Sequence, residues 1–276
     1  MLENPNVAIA MTVYIADDLL LLKTAINSLL NQTYENITIF IATDGQLKTE
    51  VQDYLNELNK QGKVLLLSNE KNKGLATRLN QLINSIMESN RFDFIARMDA
   101  DDVCMENRIA VQVSFLQNHP NISVVGSDVI EIDESGNKLF YKRMESEHST
   151  IVTKLIKKCP FNHPTVMFRA NIFEMGSNRY KEELLNTQDY YLWVDLLSKN
   201  FKFANINEPL LHFRINNSFH QRRGVKKAMN DFKARVYAMR KLDIFSFANV
   251  SISCLLFALR ISPRALKKLA YKHLRD

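Results

Sequence analysis

The first hundred residues alternate short apolar runs with longer segments in which apolar side chains recur every three or four positions. The apolar runs, each short enough to be a buried strand, cover residues 7–14, 37–42, 64–67 and 92–98. Between the runs, apolar residues share one helical face, as Leu22, Ile26 and Leu29 do in the first segment. Alternating strands and helices predict an α/β fold with a mostly parallel central sheet and helices on both faces.

The second half of the chain is more mixed. A hairpin is predicted over 122–132 and 138–142, because a Glu-Ser-Gly-Asn segment separates the two runs. The remaining predicted elements are helices over 151–157 and 188–198 and strands over 164–168, 201–206 and 210–215. From Arg222 the pattern is helical to the end. We therefore expect a main domain over 1–221 and a helical C-terminal extension over 222–276.

The net charge of +6 comes from this extension, where 14 Lys and Arg stand against 3 Asp and Glu. Its apolar run 244–259 is shorter than the roughly 20 residues that span a bilayer, and basic residues flank it. The pattern suits a helix on an anionic membrane surface. The alternative is a helical hairpin packed on the main domain. No nucleic-acid-binding motif accompanies the charge.

An acidic cluster follows the fourth apolar run and contains Asp99, Asp101 and Asp102. Asp44 likewise follows the second run. In parallel sheets ligands bind at the carboxyl ends of the strands, so these carboxylates are expected at one crevice. Three close carboxylates favour a hard divalent cation, Mg²⁺ or Mn²⁺, which also binds diphosphate. The alternative is a solvated turn in which Asp101 or Asp102 caps the following helix.

The segment Ile-Ala-Arg-Met-Asp-Ala-Asp-Asp at 95–102 closely resembles the DxD region of the family 2 inverting glycosyltransferases, which have the GT-A fold. Further blocks in the same order resemble that family and extend the similarity over about residues 7–216. They are 12–14, 28–34, 72–76, 107–116, 163–169 and 188–193. Several ordered blocks are far more specific than a single motif.

The resemblance implies roles for individual residues. Asp101 would bind the metal, with Asp99 also at the metal and nearer the ribose, and Asp44 would contact the base of the nucleotide. Asp189 would be the general base. The other residues implied to bind the nucleotide-sugar are Thr12, Tyr14, Asn72, Gly74, Arg78 and Ala100. His163 and Trp193 fall near the acceptor or phosphate, although His163 also suits a structural loop and Trp193 a core position.

Two positions depart from the family pattern. Thr43-Asp44 replaces an Asp-Asp pair, so contacts to the base are expected to differ. Gln188-Asp189 replaces a Glu-Asp pair, and losing the like charge should lower the pKa of Asp189 and weaken it as a base.

The implied activity is inverting transfer of a sugar, first of all from a UDP-hexose or UDP-N-acetylhexosamine, to a lipid-linked saccharide in bacterial surface polysaccharide (O-antigen type) synthesis. The acceptor would be carried on polyprenyl diphosphate or lipopolysaccharide. The enzyme would then lie on the cytoplasmic face of the membrane, as expected also from three widely spaced cysteines and an N-terminus without signal-peptide features. The alternatives are a catalytically weak nucleotide-sugar-binding or scaffold protein and a nucleotidyltransferase, although the latter's Gly-rich N-terminal loop is missing.

Overall fold

A computed structural model describes residues 4–184, 186–215 and 225–262. In its first half the elements are β1 (Val7–Tyr14), α1 (Leu19–Leu30), β2 (Ile37–Asp44), α2 (Thr49–Lys60), β3 (Leu65–Leu67), α3 (Leu75–Ser89), β4 (Phe94–Met98) and β5 (Val103–Cys104). The later elements are α4 (Arg108–Asn118), β6 (Ile122–Ile132), β7 (Lys138–Lys142), α5 (His148–Lys154), β8 (Met167–Arg169), α6 (Gln188–Ser198), β9 (Lys202–Arg214), α7 (Val225–Lys241) and α8 (Phe247–Ile261). Short 3-10 helices, His163–Thr165 and Ala170–Gly176, flank β8.

The strands form one mixed sheet in the order β3-β2-β1-β4-β8-β6-β9-β5, with β7 paired to β6. Its N-terminal part, β3-β2-β1-β4, is parallel throughout. Strand β8 is antiparallel to both β4 and β6, and β9 is parallel to β6. The predicted α/β class is confirmed, and the antiparallel pairs lie in the half whose sequence pattern is mixed.

Both faces of the sheet are covered, which explains why the strands are apolar without strict alternation. On β1, Val7 and Ile9 contact the core formed with α1, α2 and α4. Ala8 and Ala10 face the opposite core, built from α3, α6 and α7. The small alanine side chains allow α3 to pack close to β1 and β2.

The element predictions hold with local corrections. The two predicted strands over 201–206 and 210–215 are one strand, β9, because register shifts against β6 at 127–129 absorb the extra residues around Pro209. The predicted strand 164–168 begins as a 3-10 helix and becomes strand only at Met167. The helix predicted over 151–157 begins earlier, at His148. The two-residue strand β5 was not predicted.

The C-terminal extension is a helical hairpin within the described residues. Helix α7 packs on α6, and its Ala234, Ala238 and Met239 join the main core. Helix α8 packs on α7. The two helices therefore form the hairpin on the main domain that the sequence analysis gave as an alternative. The chain turns between them at residues 242–246. The predicted helix over 222–224 and 263–276 lies outside the described residues. Among the helices described, none has both the length and the apolar character needed to cross a bilayer.

Candidate functional site

The carboxyl ends of β1, β2 and β4 lie at one edge of the sheet. Tyr14 of β1 pairs with Asp44 of β2, and Met11 of β1 pairs with Met98, the last residue of β4. Asp99 follows directly. The register thus brings the two acidic segments, separated by more than fifty residues, to the same edge, as the sequence analysis predicts.

Asp44 is buried and holds the start of α3. Its carboxylate accepts backbone N–H bonds from Lys73 at 2.8 Å and Gly74 at 3.0 Å, and a bond from Arg78 Nε at 3.0 Å. Asn72 Nδ2 donates to the Asp44 carbonyl at 3.3 Å. Arg78 is 4% exposed, so it is a buried partner of Asp44. Asp44 therefore fixes the loop that precedes α3.

Two glycines and two β1 residues complete this side of the crevice. Gly74 precedes α3 with φ +89°, a left-handed conformation that favours glycine. Gly45 also has a positive φ, and a Cβ there would lie 3.2 Å from the backbone nitrogen of Asn72. Thr12 is partly buried, whereas Tyr14 is 38% exposed and available to stack on a ligand.

The acidic cluster has a distinct environment for each carboxylate. Asp99 is one-third exposed and forms an ion pair with the buried Arg97. Asp101 is partly buried, and its carbonyl accepts a bond from Arg214 Nε at 2.8 Å. Asp102 is buried and accepts the Arg214 backbone N–H at 2.8 Å. Burial, followed by the charge of Asp101, raises the pKa of Asp102 to about 8. Ala100, between them, is buried.

The helix-capping alternative for this cluster is wrong. Helix α4 begins at Arg108, and the residue at its N-cap position is Asn107. Asp102 is five residues upstream and is bonded to β9 instead. The carboxylates are thus not accounted for by capping, which leaves ligand binding or loop positioning as their role.

Two charged residues that the sequence analysis did not assign to the site lie within it. Arg97, 2% exposed at the end of β4, interacts electrostatically with Asp101, Asp102 and Asp189 as well as Asp99. Its Nε has no hydrogen-bond partner among the described residues. Asp17 follows β1, and burial, together with the charge of Asp101, raises its pKa to about 7. Arg97 belongs to the segment 95–102 that contains the acidic cluster, but the sequence does not show that its side chain is buried.

Asp189 lies in the first turn of α6 and interacts electrostatically with Arg97, which interacts in the same way with the acidic cluster. Burial raises its pKa above the ordinary value, and the charge of Asp231 on α7 adds to this. Desolvation thus governs the pKa of Asp189, and a raised pKa improves a general base. The expected lowering relative to a Glu-Asp pair stays a prediction. Gln188 is buried, and its Oε1 has no partner among the described residues.

The two residues expected near the acceptor differ in position. His163 Nε2 lies 2.8 Å from the Tyr180 hydroxyl, and burial beside Arg97 holds the pKa of His163 well below its ordinary value. The imidazole is therefore neutral and lies beside Arg97. Trp193 is 0% exposed and packs against Phe161 and Phe168. The structure thus corrects the placement of Trp193 near the acceptor: it is a core residue.

The metal expectation can be tested against these side chains. Among the described residues, no three His, Cys, Asp or Glu side chains are grouped so as to hold a metal by themselves. A divalent ion bound with a nucleoside diphosphate takes several oxygens from the diphosphate and water and needs only one or two carboxylates. Asp101 and the partly exposed Asp99 fit that requirement, whereas the buried Asp102 does not.

The mixed α/β sheet with an acidic edge beside a helix N-terminus matches the fold of solved GT-A glycosyltransferases. Residues 8–176 match the model of glycosyl transferase family 2, and the chain belongs to that family.

Three proteins with similar sequences are named as glycosyltransferases. The chain is 27% identical to a UDP-Gal:α-D-GlcNAc-diphosphoundecaprenol β-1,3-galactosyltransferase of Escherichia coli, over 98% of this chain and 96% of that protein. It is 30% identical to an amylovoran biosynthesis glycosyltransferase of Erwinia amylovora, over 74% of each chain. An uncharacterized glycosyltransferase of Haemophilus influenzae is 27% identical over 96% of this chain and 97% of that protein.

Solved structures support the fold at low sequence identity. S. aureus TarS in complex with UDP-GlcNAc superposes with a TM-score of 0.66 at 11% identity, over 92% of this chain and 70% of that one. A Pyrobaculum calidifontis mannosyltransferase in complex with GDP-Man and Mn²⁺ gives 0.61 at 11% identity, over 98% and 80%. At this identity they establish the fold alone.

Proposed function

We propose that the chain is a metal-dependent inverting glycosyltransferase of bacterial surface polysaccharide (O-antigen type) synthesis. It moves a hexose or N-acetylhexosamine from a UDP-sugar to a hydroxyl of a lipid-linked oligosaccharide. The observation that carries this proposal is that the buried Arg97 interacts electrostatically both with the acidic cluster and with Asp189. One site thus combines carboxylates suited to a metal with a further carboxylate suited to act as a base. The name of the E. coli relative supports both a UDP-sugar donor and a lipid diphosphate acceptor.

The donor is proposed to lie along the edge formed by β1, β2 and β4. Thr12 and Tyr14 contact the nucleoside, together with the Asn72–Gly74 loop that Asp44 and Arg78 hold in place. Asp99, with the Ala100 backbone beside it, lies towards the ribose. Asp101 and Asp99 would hold Mn²⁺ or Mg²⁺, which would offset negative charge on the leaving diphosphate.

Asp189 is proposed to remove the proton from the acceptor hydroxyl as that oxygen attacks the anomeric carbon. Its raised pKa matches the task, because a base is most effective when its pKa is close to the working pH. A single displacement breaks the bond to the diphosphate and inverts the configuration, so an α-linked donor gives a β-linked product. His163, neutral and beside Arg97, is proposed to lie on the acceptor or phosphate side of the crevice.

The acceptor also suggests where the enzyme works. A lipid-linked saccharide is held at a membrane, and we therefore place the protein on the inner face of the cell membrane, bound peripherally through the extension 222–276. Residues 1–221 would form the catalytic domain. A catalytically weak nucleotide-sugar-binding or scaffold role is the second candidate, and the buried Gln188 in place of a carboxylate favours it.

The test is binding and transfer with a panel of nucleotide-sugars in Mn²⁺. One donor should raise the melting temperature, since a ligand that binds only the folded chain stabilises it in proportion to its affinity. Asp101→Ala should abolish the donor-dependent shift, whereas Asp189→Ala should keep it and lose transfer. Retention of transfer by both variants would refute the assignment. A shift without transfer in the wild type would favour the binding role.

A further inference from the structure

The inner face of α8 packs against the rest of the protein. Phe257 packs edge-on against Phe232 of α7, with ring centroids 5.8 Å apart. Arg260 forms an ion pair with the buried Asp231 of α7, and Ser253 is buried between the helices. Val250 and Ile252 pack against the main core. This face fixes α8 on α7, and α7 in turn packs on α6.

The outer face of α8 is apolar and exposed. Phe247 is 90% exposed, Leu255 60% and Ile261 49%. Ser251, Cys254 and Ala258 are exposed between them at helical spacing, and no charged residue occurs from Phe247 to Leu259. Phe245, in the turn before α8, is 57% exposed. Scattered exposed apolar residues are normal, but a continuous stripe four turns long indicates a binding surface.

Cations lie beside this stripe at the hairpin turn, and the sequence that follows α8 is basic. Arg240 and Lys241 are exposed at the end of α7, next to the turn that carries Phe245. After α8, the sequence 263–276 contains five Lys and Arg and one acidic residue. Two copies of the chain joined antiparallel through this face would bring basic ends together, and they would repel. A surface that is apolar within and negatively charged at its border suits the stripe better.

We propose that the outer face of α8, with Phe245 and Phe247 at the hairpin turn, lies in the headgroup region of an anionic bilayer. The helix would lie in the plane of the membrane, with Leu255 and Ile261 towards the acyl chains and Arg240 and Lys241 on lipid phosphates. Because α7 joins α8 to the helix that begins with Gln188-Asp189, docking would fix the proposed base at a set height above the membrane. The docking face deepens the peripheral membrane binding stated in the proposed function, and the height of the base rests on that function too.

The chain carries a natural reporter for this surface. Cys254 is exposed on the stripe, whereas Cys104 is buried and burial raises the pKa of the half-buried Cys159 to about 12. A thiol-reactive, environment-sensitive fluorophore should therefore label Cys254 in the full-length protein, and Cys254→Ser should remove the label. Emission should shift to the blue with vesicles of phosphatidylcholine containing about 30% phosphatidylglycerol, and far less with pure phosphatidylcholine or at 1 M salt.

Unlabelled protein should sediment with the anionic vesicles, and Phe247→Glu with Leu255→Glu should weaken this binding at least tenfold. Leu20→Glu is the matched control, because Leu20 is 72% exposed on α1, and it should bind as the wild type does. Absence of vesicle binding, or binding that the double variant retains, would overturn the proposal. So would a concentration-dependent dimer that the double variant abolishes. Donor binding, measured by thermal shift, reports on the proposed function separately.

Discussion

Replacing Arg97 by Gln removes the buried cation that lies among the carboxylates of the site. Loss of one partner of a buried ion pair costs about 3–5 kcal/mol. Asp99 is one-third exposed, so water can solvate it after the change and the cost should fall to about 2 kcal/mol. For a chain of this size, such a loss lowers the melting temperature by roughly 4–8 °C.

The same substitution should strengthen the response to metal. With Arg97 gone, Asp101 and Asp99 repel each other without a neighbouring cation, and Mn²⁺ then offsets more charge than in the wild type. We expect apparent Mn²⁺ affinity to rise by about tenfold, equivalent to about 1.4 kcal/mol. The assay is differential scanning fluorimetry over a Mn²⁺ titration at a fixed concentration of UDP.

Arg169→Gln is the control for this prediction. Arg169 donates to backbone carbonyls of Leu116, His119 and Ile122 and lies opposite Phe94, at the far end of β4 from the site. It should lose stability but keep the wild-type response to Mn²⁺. An Arg97→Gln protein whose melting temperature responds to Mn²⁺ no more than that of the wild type would refute the counter-ion role.

Three further predictions concern neighbouring residues. The pKa of Asp102 is about 8 in the folded chain and 3.8 ordinarily. Between these two pH values the folded chain keeps a proton on Asp102 that the unfolded chain releases. The free energy of unfolding therefore falls as the pH rises from 3.8 to about 8. Asp102→Asn should flatten that fall in urea titrations at several pH values, and an unchanged slope would contradict it. Gln188→Glu should raise the pKa of Asp189 further and move the acidic limb of kcat/KM to higher pH by about 0.5–1 unit; an unmoved limb would count against Asp189 as the base. Trp193→Ala should cost about 3–5 kcal/mol in urea denaturation, and a loss of transfer without that cost would restore an acceptor role.

The regular elements were predictable because their signal is local. The apolar run at β1 and the hairpin strands β6 and β7 have the predicted bounds, since burial on both faces or a turn sequence marks them directly. The merging of two predicted strands into β9 was not predictable. It depends on register shifts against β6, a partner eighty residues away in sequence.

The sequence predicted which residues gather at the candidate site, but not the burial of its charged side chains or the resulting pKa shifts. The edge shared by Asp44 and the acidic cluster follows from parallel strand order. Burial, in contrast, is a property of the packed molecule. It makes Arg97 an internal cation, turns Arg78 into a partner of Asp44, and raises the pKa of Asp189 by desolvation, which the local sequence does not reveal.

The central claim is that the carboxylates at the end of β4 bind a metal ion together with the diphosphate of the donor. It is tested most directly by anomalous diffraction at the manganese edge from crystals grown with UDP and Mn²⁺. We predict one strong peak within coordination distance of an Asp101 carboxylate oxygen, with the uracil near Tyr14 and the Asn72–Gly74 loop. A manganese ion bound away from Asp101 and Asp99, or UDP bound at this edge with no metal, would contradict the account.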